Sequence, residues 1–385
     1  KNSRTQITTK NSMTKDGSVI RTELALWAGI ITTLLFLIFG DRWVADLSNL
    51  LWYSLLFVWL FVVIAWLAFS VVRHADALAI LLGEPYGTII LTLSVIVIEV
   101  AMISAVMLTG ADNPTLARDT LFSVLMIVLN GMLGVTLLVG GLRHREQSYN
   151  LQGAATYLGV LIPLAGLSLI LPRYMEGAPG GEVTLLVEGW LVVVSVGLYG
   201  AFLWIQTLRH SNYFTQLQPH DGTEAVCADH HAHPPVRSIG YHALFLPLTM
   251  LPIVLLSKKM ALLVDHGLSN LGGPQALGGL FIAVLVLAPE SVAAIKAALE
   301  NQLQRTVNIA MGAALSTIGL TIPAVLVIGM VTGKAVELGL SPANIHLLLL
   351  TLLVTVVNFS AARTNVLHGI VHLMLFITYL VLIFD

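Results

Sequence analysis

Eleven apolar stretches, each long enough to cross a lipid bilayer as a helix, dominate this sequence. They lie near residues 24–40, 48–72, 86–110, 119–142, 154–172, 183–208, 239–264, 276–299, 306–333, 342–360 and 366–384. Only 10% of the residues are charged, whereas a soluble domain carries about 25%. Because roughly 20 apolar residues suffice for one span, we predict an all-α polytopic membrane protein with about 11 transmembrane helices.

The polar breaks between the spans are short except for one, which follows the sixth span. We therefore divide the chain into an N-terminal tail at 1–23, a leading helix at 24–47, a first five-helix repeat at 48–208, a linker at 209–238 and a second five-helix repeat at 239–385. Because five is odd, the second repeat enters the membrane from the opposite side. Inverted repeats are a recurring plan of transporters, with the ion site near mid-membrane at the repeat interface.

The N-terminal tail is basic, with Lys1, Arg4, Lys10 and Lys15 ahead of the first span. Since Lys and Arg are enriched on the cytoplasmic side of membrane proteins, we expect a cytoplasmic N-terminus. The first apolar stretch lacks a small-residue cleavage site, so we expect it to be retained as a helix.

Two glutamates lie in matched apolar surroundings, Glu99 within 87–110 and Glu290 within 278–301. A charge at the centre of a spanning helix costs about 2.5–3.5 kcal/mol on insertion scales, and such residues are functional by default. The alternatives are that each acid pairs with a buried base or lies nearer the membrane surface. We predict that Glu99 and Glu290 bind a metal cation, or protons, at the interface of the two repeats.

Neutral oxygen donors on nearby spans are the next candidates for this site. Asn130, Ser316 and Thr317 lie on the spans that follow the two glutamate helices. Thr92 precedes Glu99 on the same helical face. Ca²⁺ takes several oxygen ligands, so two glutamates need such help. The alternative roles are packing between helices for the first three residues and a bond within its own helix for Thr92.

Pro289, directly before Glu290, is predicted to break its helix, because proline lacks a backbone donor and clashes with the preceding turn. A break there would free carbonyl groups, which are ligands for hard cations where they line a cavity. A kink that serves packing alone is the alternative.

Two polar segments lie outside the predicted membrane region. The linker contains Asp229, His230, His231 and His233, and we favour a mobile cytoplasmic segment over a regulatory metal or pH sensor, since short His-rich tracts are compositional evidence only. Arg363 and Asn365 precede the last span, and they are either a cytoplasmic gate or an ordinary helix entry.

Several short motifs point to a known family. They are Gly-Glu-Pro-Tyr-Gly-Thr at 83–88, the glutamate at 99, Ala-Pro-Glu-Ser at 288–291, Asn-Gln-Leu-Gln-Arg at 301–305 and Ala-Arg-Thr-Asn-Val-Leu-His-Gly at 362–369. Over nearly all of 60–384 the chain resembles bacterial ChaA-type cation/proton antiporters, in the calcium/proton exchanger branch of the calcium/cation antiporter superfamily.

This resemblance implies eleven helices, two inverted five-helix repeats, and export of calcium or sodium in exchange for protons. It assigns the acidic residues of the family's two repeats to Glu99 and Glu290, and the polar positions on the following helices to Asn130 and Ser316. Many members have Gly-Asn before the acid, whereas Glu99 follows Ile98 and Glu290 follows Pro289. The departure makes sodium or potassium a more serious substrate.

We therefore expect a transporter of the bacterial cytoplasmic (inner) membrane that exchanges Ca²⁺, and Na⁺ or K⁺, for H⁺ by alternating access. Two ionised glutamates in a medium of low dielectric are neutralised by one Ca²⁺ or by two protons, so only loaded states should cross. The alternatives are a cation channel with the two acids as its selectivity filter and, less favoured, an intramembrane metalloenzyme that uses the linker histidines.

The expected partners are inorganic cations, protons and the lipid bilayer. We expect no cofactor besides the transported ions. A formal net charge of −2 gives no indication of a nucleic-acid partner. The oligomeric state is left open.

Overall fold

The computed structural model describes residues 19–83, 86–109, 114–175, 183–216, 237–271, 273–274 and 276–384, and they are almost entirely helical. The α-helices are α1 (Val19–Thr22), α2 (Leu24–Ile38), α3 (Gly40–Ala45), α4 (Leu50–Leu82), α5 (Tyr86–Thr109), α6 (Leu116–Met126), α7 (Leu133–His144), α8 (Leu151–Ala165), α9 (Leu185–Trp204), α10 (Ile239–Leu271), α11 (Ala276–Leu299), α12 (Leu303–Ser316), α13 (Ile322–Thr332), α14 (Pro342–Asn358) and α15 (Val366–Ile383). The shorter elements are π-helical segments at Ile127–Met132, Gly166–Ile170, Ile205–Arg209 and Thr317–Thr321, 3₁₀ turns at Leu171–Tyr174 and Ser211–Phe214, and strands β1 (Gln147–Ser148) and β2 (Arg363–Thr364).

The number of apolar helices agrees with the sequence-based expectation. Within the described residues, 8 continuous helical stretches are long and apolar enough to cross a membrane. Three shorter apolar helices, Leu24–Ile38, Thr92–Ala105 and Pro342–Asn358, complete the set. The prediction of an all-α membrane protein with about eleven spans is confirmed.

The two groups of five helices repeat the same pattern of lengths. Helices α4 and α10, which open the groups, have 33 residues each. Helices α5 and α11, which carry the two glutamates, have 24 residues each. The third helix of each group is interrupted by a π-helical segment, at Ile127–Met132 and at Thr317–Thr321. Helix α2 precedes both groups as the predicted leading helix.

Close backbone contacts hold α11 in the centre of the molecule. A Cβ atom on Gly279 of α11 would lie 2.7 Å from the backbone nitrogen of Thr120 on α6. Only glycine permits this approach, because a neighbouring backbone cannot move aside as a flexible side chain can. At the other end of α11, the Gln147 side chain donates a hydrogen bond to the carbonyl of Ala298 at 2.9 Å. Helix α11 is therefore fixed at both ends.

A short antiparallel ladder joins the loops that precede α8 and α15. Gln147 pairs with Thr364, and Ser148 pairs with Arg363. Because successive spans run in opposite directions, this ladder lies at the same end of the molecule as the last residues of α9 and the first residues of α10. We call this end the linker end, and the opposite end the far end.

Candidate cation site

Glu99 lies in the middle of α5 and is buried, with 3% of its surface exposed. Its Oε2 atom accepts hydrogen bonds from the hydroxyl groups of Thr321 at 2.8 Å and Thr317 at 3.2 Å. Its Oε1 atom is also buried but has no hydrogen-bond partner among the described residues. One oxygen is thus held in place while the other remains available to a ligand.

The π-helical segment Thr317–Thr321 explains how two hydroxyl groups reach one oxygen atom. Side chains four residues apart lie on the same face of a helix, so both threonines face α5. Single π-helical turns within α-helices occur frequently at functional sites. Thr317 was predicted to contribute to the site, whereas Thr321 was not.

A count from the two acids would have found Thr321. It lies 31 residues after Glu290 (321 − 290), as Asn130 lies 31 residues after Glu99 (130 − 99). The count does not show that Thr317 and Thr321 both contact Glu99, because this contact depends on the π-helical segment and on how it packs against α5.

Glu290 lines a cavity of about 430 Å³ that reaches it from the linker end. Its Oε2 atom is buried and has no hydrogen-bond partner among the described residues. The cavity mouth lies beside Ser211 and Thr215, just after the last helix of the first repeat, and Val95, one turn before Glu99, lines a deeper wall. The cavity therefore leads from one end of the molecule to the region between the two acids.

Asp76 is the second acid in the wall of this cavity, and it is not among the predicted site residues. It lies on α4 and lines the cavity together with Glu290 and with Arg305 of α12. The available signal was an acid within the apolar end of α4, flanked by Ala75 and Ala77. The cavity wall thus carries two carboxyl groups and one guanidinium group.

Two other predicted residues line the cavity but already have hydrogen-bond partners. The Ser316 hydroxyl donates to the carbonyl of Ala313 at 3.0 Å. The Thr92 hydroxyl is hydrogen-bonded to the Tyr199 phenol. Because a hydroxyl oxygen has two acceptor lone pairs, the role of both residues as cation ligands stays a prediction.

Asn130 lies on the first π-helical segment and is fully buried, with its amide occupied elsewhere. Its amide nitrogen donates to the Thr351 hydroxyl at 2.8 Å, and its amide oxygen lies 3.2 Å from Nδ1 of His372. In this structure these bonds connect the first repeat to α14 and α15. Its role as a cation ligand remains a prediction that requires the amide to leave these partners.

Helix α11 continues from Ala276 to Leu299 with Pro289 inside it, so the predicted helix break at Pro289 is wrong. The missing backbone donor still leaves the carbonyl of Leu285, four residues earlier, without its usual helical partner.

The remaining predicted residues lie away from the cavity or outside the described part of the chain. Arg363 is exposed and pairs with Glu146 at 3.1 Å, and the Asn365 side chain caps α15 by accepting from the backbone nitrogen of Leu367 at 3.0 Å. Neither belongs to the described lining of the cavity. Asp229, His230, His231 and His233 lie outside the described residues.

The far end is held by a network around Arg118, which is 15% exposed. Its Nη1 atom donates to Glu337 Oε1 and to the carbonyl of Gly339, both at 3.0 Å, and its Nε atom donates to Asp119 at 2.9 Å. The backbone nitrogen of Glu337 donates to the carbonyl of Pro114 at 2.9 Å. These bonds join the start of α6 to the segment between α13 and α14.

A second ion pair lies at the far end, between Lys259 Nζ and Asp41 Oδ1 at 2.5 Å. The Lys259 ammonium group holds the pKa of this carboxyl below its usual range. Since Asp41 is exposed, the pair contributes little to stability.

The donor set limits which ligand the site can hold. The described residues contain no group of three or more His, Cys, Asp or Glu side chains that could hold a metal ion. The candidate ligands are two carboxyl groups and several hydroxyl groups, all of them oxygen donors, which suit hard cations such as Ca²⁺ and do not suit zinc or copper.

Comparison with known proteins points in the same direction. The profile of the sodium/calcium exchanger protein family matches residues 52–208 and 242–384. The sodium-potassium/proton antiporter ChaA of Escherichia coli K12 is 40% identical over 317 residues, covering 82% of this chain and 85% of that protein.

Two solved structures share the fold. The native YfkE structure has a TM-score of 0.71 at 17% identity and covers 94% of this chain and 98% of its own. The structure of the H⁺/Ca²⁺ exchanger CAX has a TM-score of 0.63 at 13% identity and covers 94% of this chain and 88% of its own.

Proposed function

The chain belongs to the sodium/calcium exchanger family and is a multi-pass membrane antiporter, and from that premise we propose that Glu99 and Glu290 form one site that exchanges Ca²⁺, and Na⁺ or K⁺, for H⁺. The observation that carries this proposal is that each of the two carboxyl groups has one buried oxygen without a hydrogen-bond partner among the described residues. Glu290 ends the cavity that opens at the linker end, and Glu99 lies deeper along α5.

Charge explains why such a site exchanges ions instead of leaking them. Two ionised carboxylates in a region of low dielectric repel each other and lose hydration, so the empty site is costly to enclose. One Ca²⁺, two monovalent cations or two protons restore neutrality. The site therefore changes the side of the membrane to which it opens readily when it is loaded, and slowly when it is empty.

Access to the site differs between the two ends of the molecule. At the linker end the cavity reaches Glu290, whereas at the far end the Arg118–Glu337 network joins α6 to the segment between α13 and α14. We propose that the structure is the state open to the linker side. In the alternate state the network around Arg118 separates and the cavity closes.

The channel alternative does not fit this arrangement. A channel would need a path open at both ends at once, and the family comprises exchangers.

The choice of cations rests on the relatives and on the site. The E. coli relative is named a sodium-potassium/proton antiporter, and the CAX structure is that of an H⁺/Ca²⁺ exchanger. An oxygen-only donor set accepts all of these ions. We propose that the protein lies in the bacterial cytoplasmic membrane with the linker end facing the cytoplasm.

A cation panel in everted membrane vesicles tests the function. A respiration-driven proton gradient is established, and Ca²⁺, Na⁺, K⁺ and Mg²⁺ are added separately while the pH inside the vesicles is followed across external pH. We expect Ca²⁺ and at least one of Na⁺ and K⁺ to release protons. Cation uptake without proton release would contradict antiport and indicate a channel.

A further inference from the structure

A buried polar cluster at the linker end connects the leading helix to both repeats. It consists of Glu23 at the start of α2, Arg73 and His74 on α4, and Tyr241 and His242 on α10. Glu23 and His74 are fully buried, and His242 is 6% exposed. The transport site described above uses none of these five residues.

The Glu23 carboxylate is the acceptor at one end of this cluster. Its Oε2 atom lies 2.6 Å from Nη2 of Arg73 and 3.1 Å from Nε2 of His74, and the Tyr241 hydroxyl donates to its other oxygen. Nη2 of Arg73, which can only donate, also lies 3.2 Å from this Nε2, but it already donates to Glu23 Oε2 at the shorter distance. Because a carboxylate only accepts hydrogen bonds, we assign the hydrogen of His74 to Nε2. A neutral His74 therefore has no hydrogen on Nδ1.

The second imidazole continues this chain of donors. Nδ1 of His74 lies 2.9 Å from Nδ1 of His242. Since Nδ1 of His74 has no hydrogen, Nδ1 of His242 must donate one. A neutral His242 then has no hydrogen on Nε2, and this buried atom has no hydrogen-bond partner among the described residues.

We propose that His242, His74 and Glu23 form a second proton-binding site, separate from the Glu99–Glu290 site. A proton binds to Nε2 of His242, and its Nδ1 hydrogen transfers to Nδ1 of His74. The positive charge then lies on His74, whose Nε2 hydrogen is bonded to the ionised Glu23 carboxylate. The net change is one proton gained, with His242 in its opposite tautomer and His74 as an imidazolium paired with Glu23.

The charged and titratable groups around the two imidazoles decide where the added charge lies. Arg73 contacts Glu23 and His74, and Arg237, before α10, lies with its guanidinium carbon 4.7 Å from the centre of the Tyr241 ring. The Arg73 guanidinium and the Tyr241 hydroxyl hold the Glu23 carboxylate ionised. The two guanidinium groups disfavour a positive imidazole, so the added charge lies on His74, the imidazole that contacts the carboxylate.

Proton uptake changes how the leading helix is held. Before proton uptake, the Glu23 carboxylate ties the start of α2 to α4 through its ion pair with Arg73. After proton uptake, the positive His74 competes for this carboxylate, so Arg73, whose side chain is 41% exposed, can turn to water. The site thus couples the acidity at the linker end to the packing of α2 against α4, the helix that also carries Asp76 in the cavity wall.

The hydrogen positions can be read directly by ¹⁵N NMR of the full-length protein in detergent, with labelled imidazoles and assignments from His74→Gln and His242→Gln. At high pH we expect hydrogen on Nε2 of His74 and on Nδ1 of His242. No cation or gradient is present, so failure here is distinguishable from failure of the antiport proposal. Hydrogen on Nε2 of a neutral His242 would overturn the proposal.

Glu23→Gln tests whether the carboxylate stabilises the added charge. Without it the positive imidazole loses its counter-ion, so the midpoint of the His242 titration should fall by at least one pH unit, which is a tenfold loss of proton affinity. Glu300→Gln, at an exposed position, is the matched control and should leave the midpoint unchanged. An unchanged midpoint in Glu23→Gln would overturn the relay, and the tautomers of the unmodified chain decide the question if that variant does not fold.

Discussion

Thr321 shows how much a single hydroxyl group contributes at the residue scale. It is fully buried and donates a hydrogen bond to Glu99 at 2.8 Å. Hydrogen bonds to charged groups contribute about 1.5–3 kcal/mol. We therefore expect Thr321→Val to reduce the apparent cation affinity roughly tenfold or more, measured as the cation concentration for half-maximal proton release in everted vesicles. Thr378→Val, exposed on α15, is the control, and equal affinities in the two variants would contradict the assignment.

Asp76 should act through its charge on every cation that enters the cavity. Coulomb energy is proportional to the charge of the ion, so Asp76→Asn should weaken the binding of Ca²⁺ more than the binding of Na⁺. If the apparent affinity for Na⁺ falls about threefold, that for Ca²⁺ should fall about tenfold. Half-maximal concentrations for both ions in the same vesicles check this ratio. Asp46→Asn, in an exposed loop, should change neither value, and equal losses for the two ions would exclude a direct electrostatic role of Asp76.

Individual residues were predictable where their chemistry was unusual for their surroundings. Glu99 and Glu290 stand out because an acid in an apolar span is costly. Thr321 does not, because a threonine in such a span is ordinary, and Asn130 was identified as a candidate ligand but without its partners. Whether each contacts a glutamate depends on how remote helices pack. For Asn130 the partners observed here, Thr351 and His372, lie more than 200 residues further along the chain.

At the scale of helices, the contact between α11 and α6 sets the position of Glu290. A side chain on Gly279 would collide with the backbone of Thr120. Overpacking of this kind costs about 1–3 kcal/mol, so Gly279→Ala should lower the unfolding temperature in detergent by several degrees and reduce exchange. Gly197→Ala is the matched control because its Cβ would meet no atom within 4 Å. Equal unfolding temperatures for the two variants would contradict this packing.

The far-end network is the element that should govern which side is open. Glu337→Gln removes the charge that pairs with Arg118, so the state open at the far end should gain population. The test uses Ala293→Cys, in the cavity wall, in a chain that also carries Cys227→Ser. This variant should then react several-fold more slowly with a membrane-impermeant thiol reagent applied from the linker side. Glu300→Gln should leave the rate unchanged. Faster or equal labelling in Glu337→Gln would contradict the role of the far-end network in keeping that end closed.

Helices were the most predictable elements, since apolar runs of spanning length leave few alternatives to a helix in a bilayer. The interruptions within helices were less predictable. Pro289 suggested a break where α11 continues, while the π-helical segments at Ile127–Met132 and Thr317–Thr321 carry no proline. The outcome depends on tertiary packing around each helix.

At the scale of the whole molecule, the inverted repeat places one glutamate in each half, and the two glutamates have different surroundings in this conformation. Glu99 is held by two hydroxyl groups, whereas Glu290 faces the cavity from the linker end. Alternating access between two such halves is typical of transporters built from inverted repeats. The sequence predicts both halves but not their difference, because the population of each state depends on small energy differences summed over the whole fold.

The central claim is that Glu99 and Glu290 together carry both the cation and the protons. It is tested most directly in proteoliposomes, by measuring Ca²⁺ flux and proton flux together for Glu99→Gln, Glu290→Gln and the exposed control Glu300→Gln. Since a glutamine cannot take up or release a proton at this site, we predict that each site variant loses coupled exchange while the control retains it. Full coupled exchange by either site variant would contradict the account.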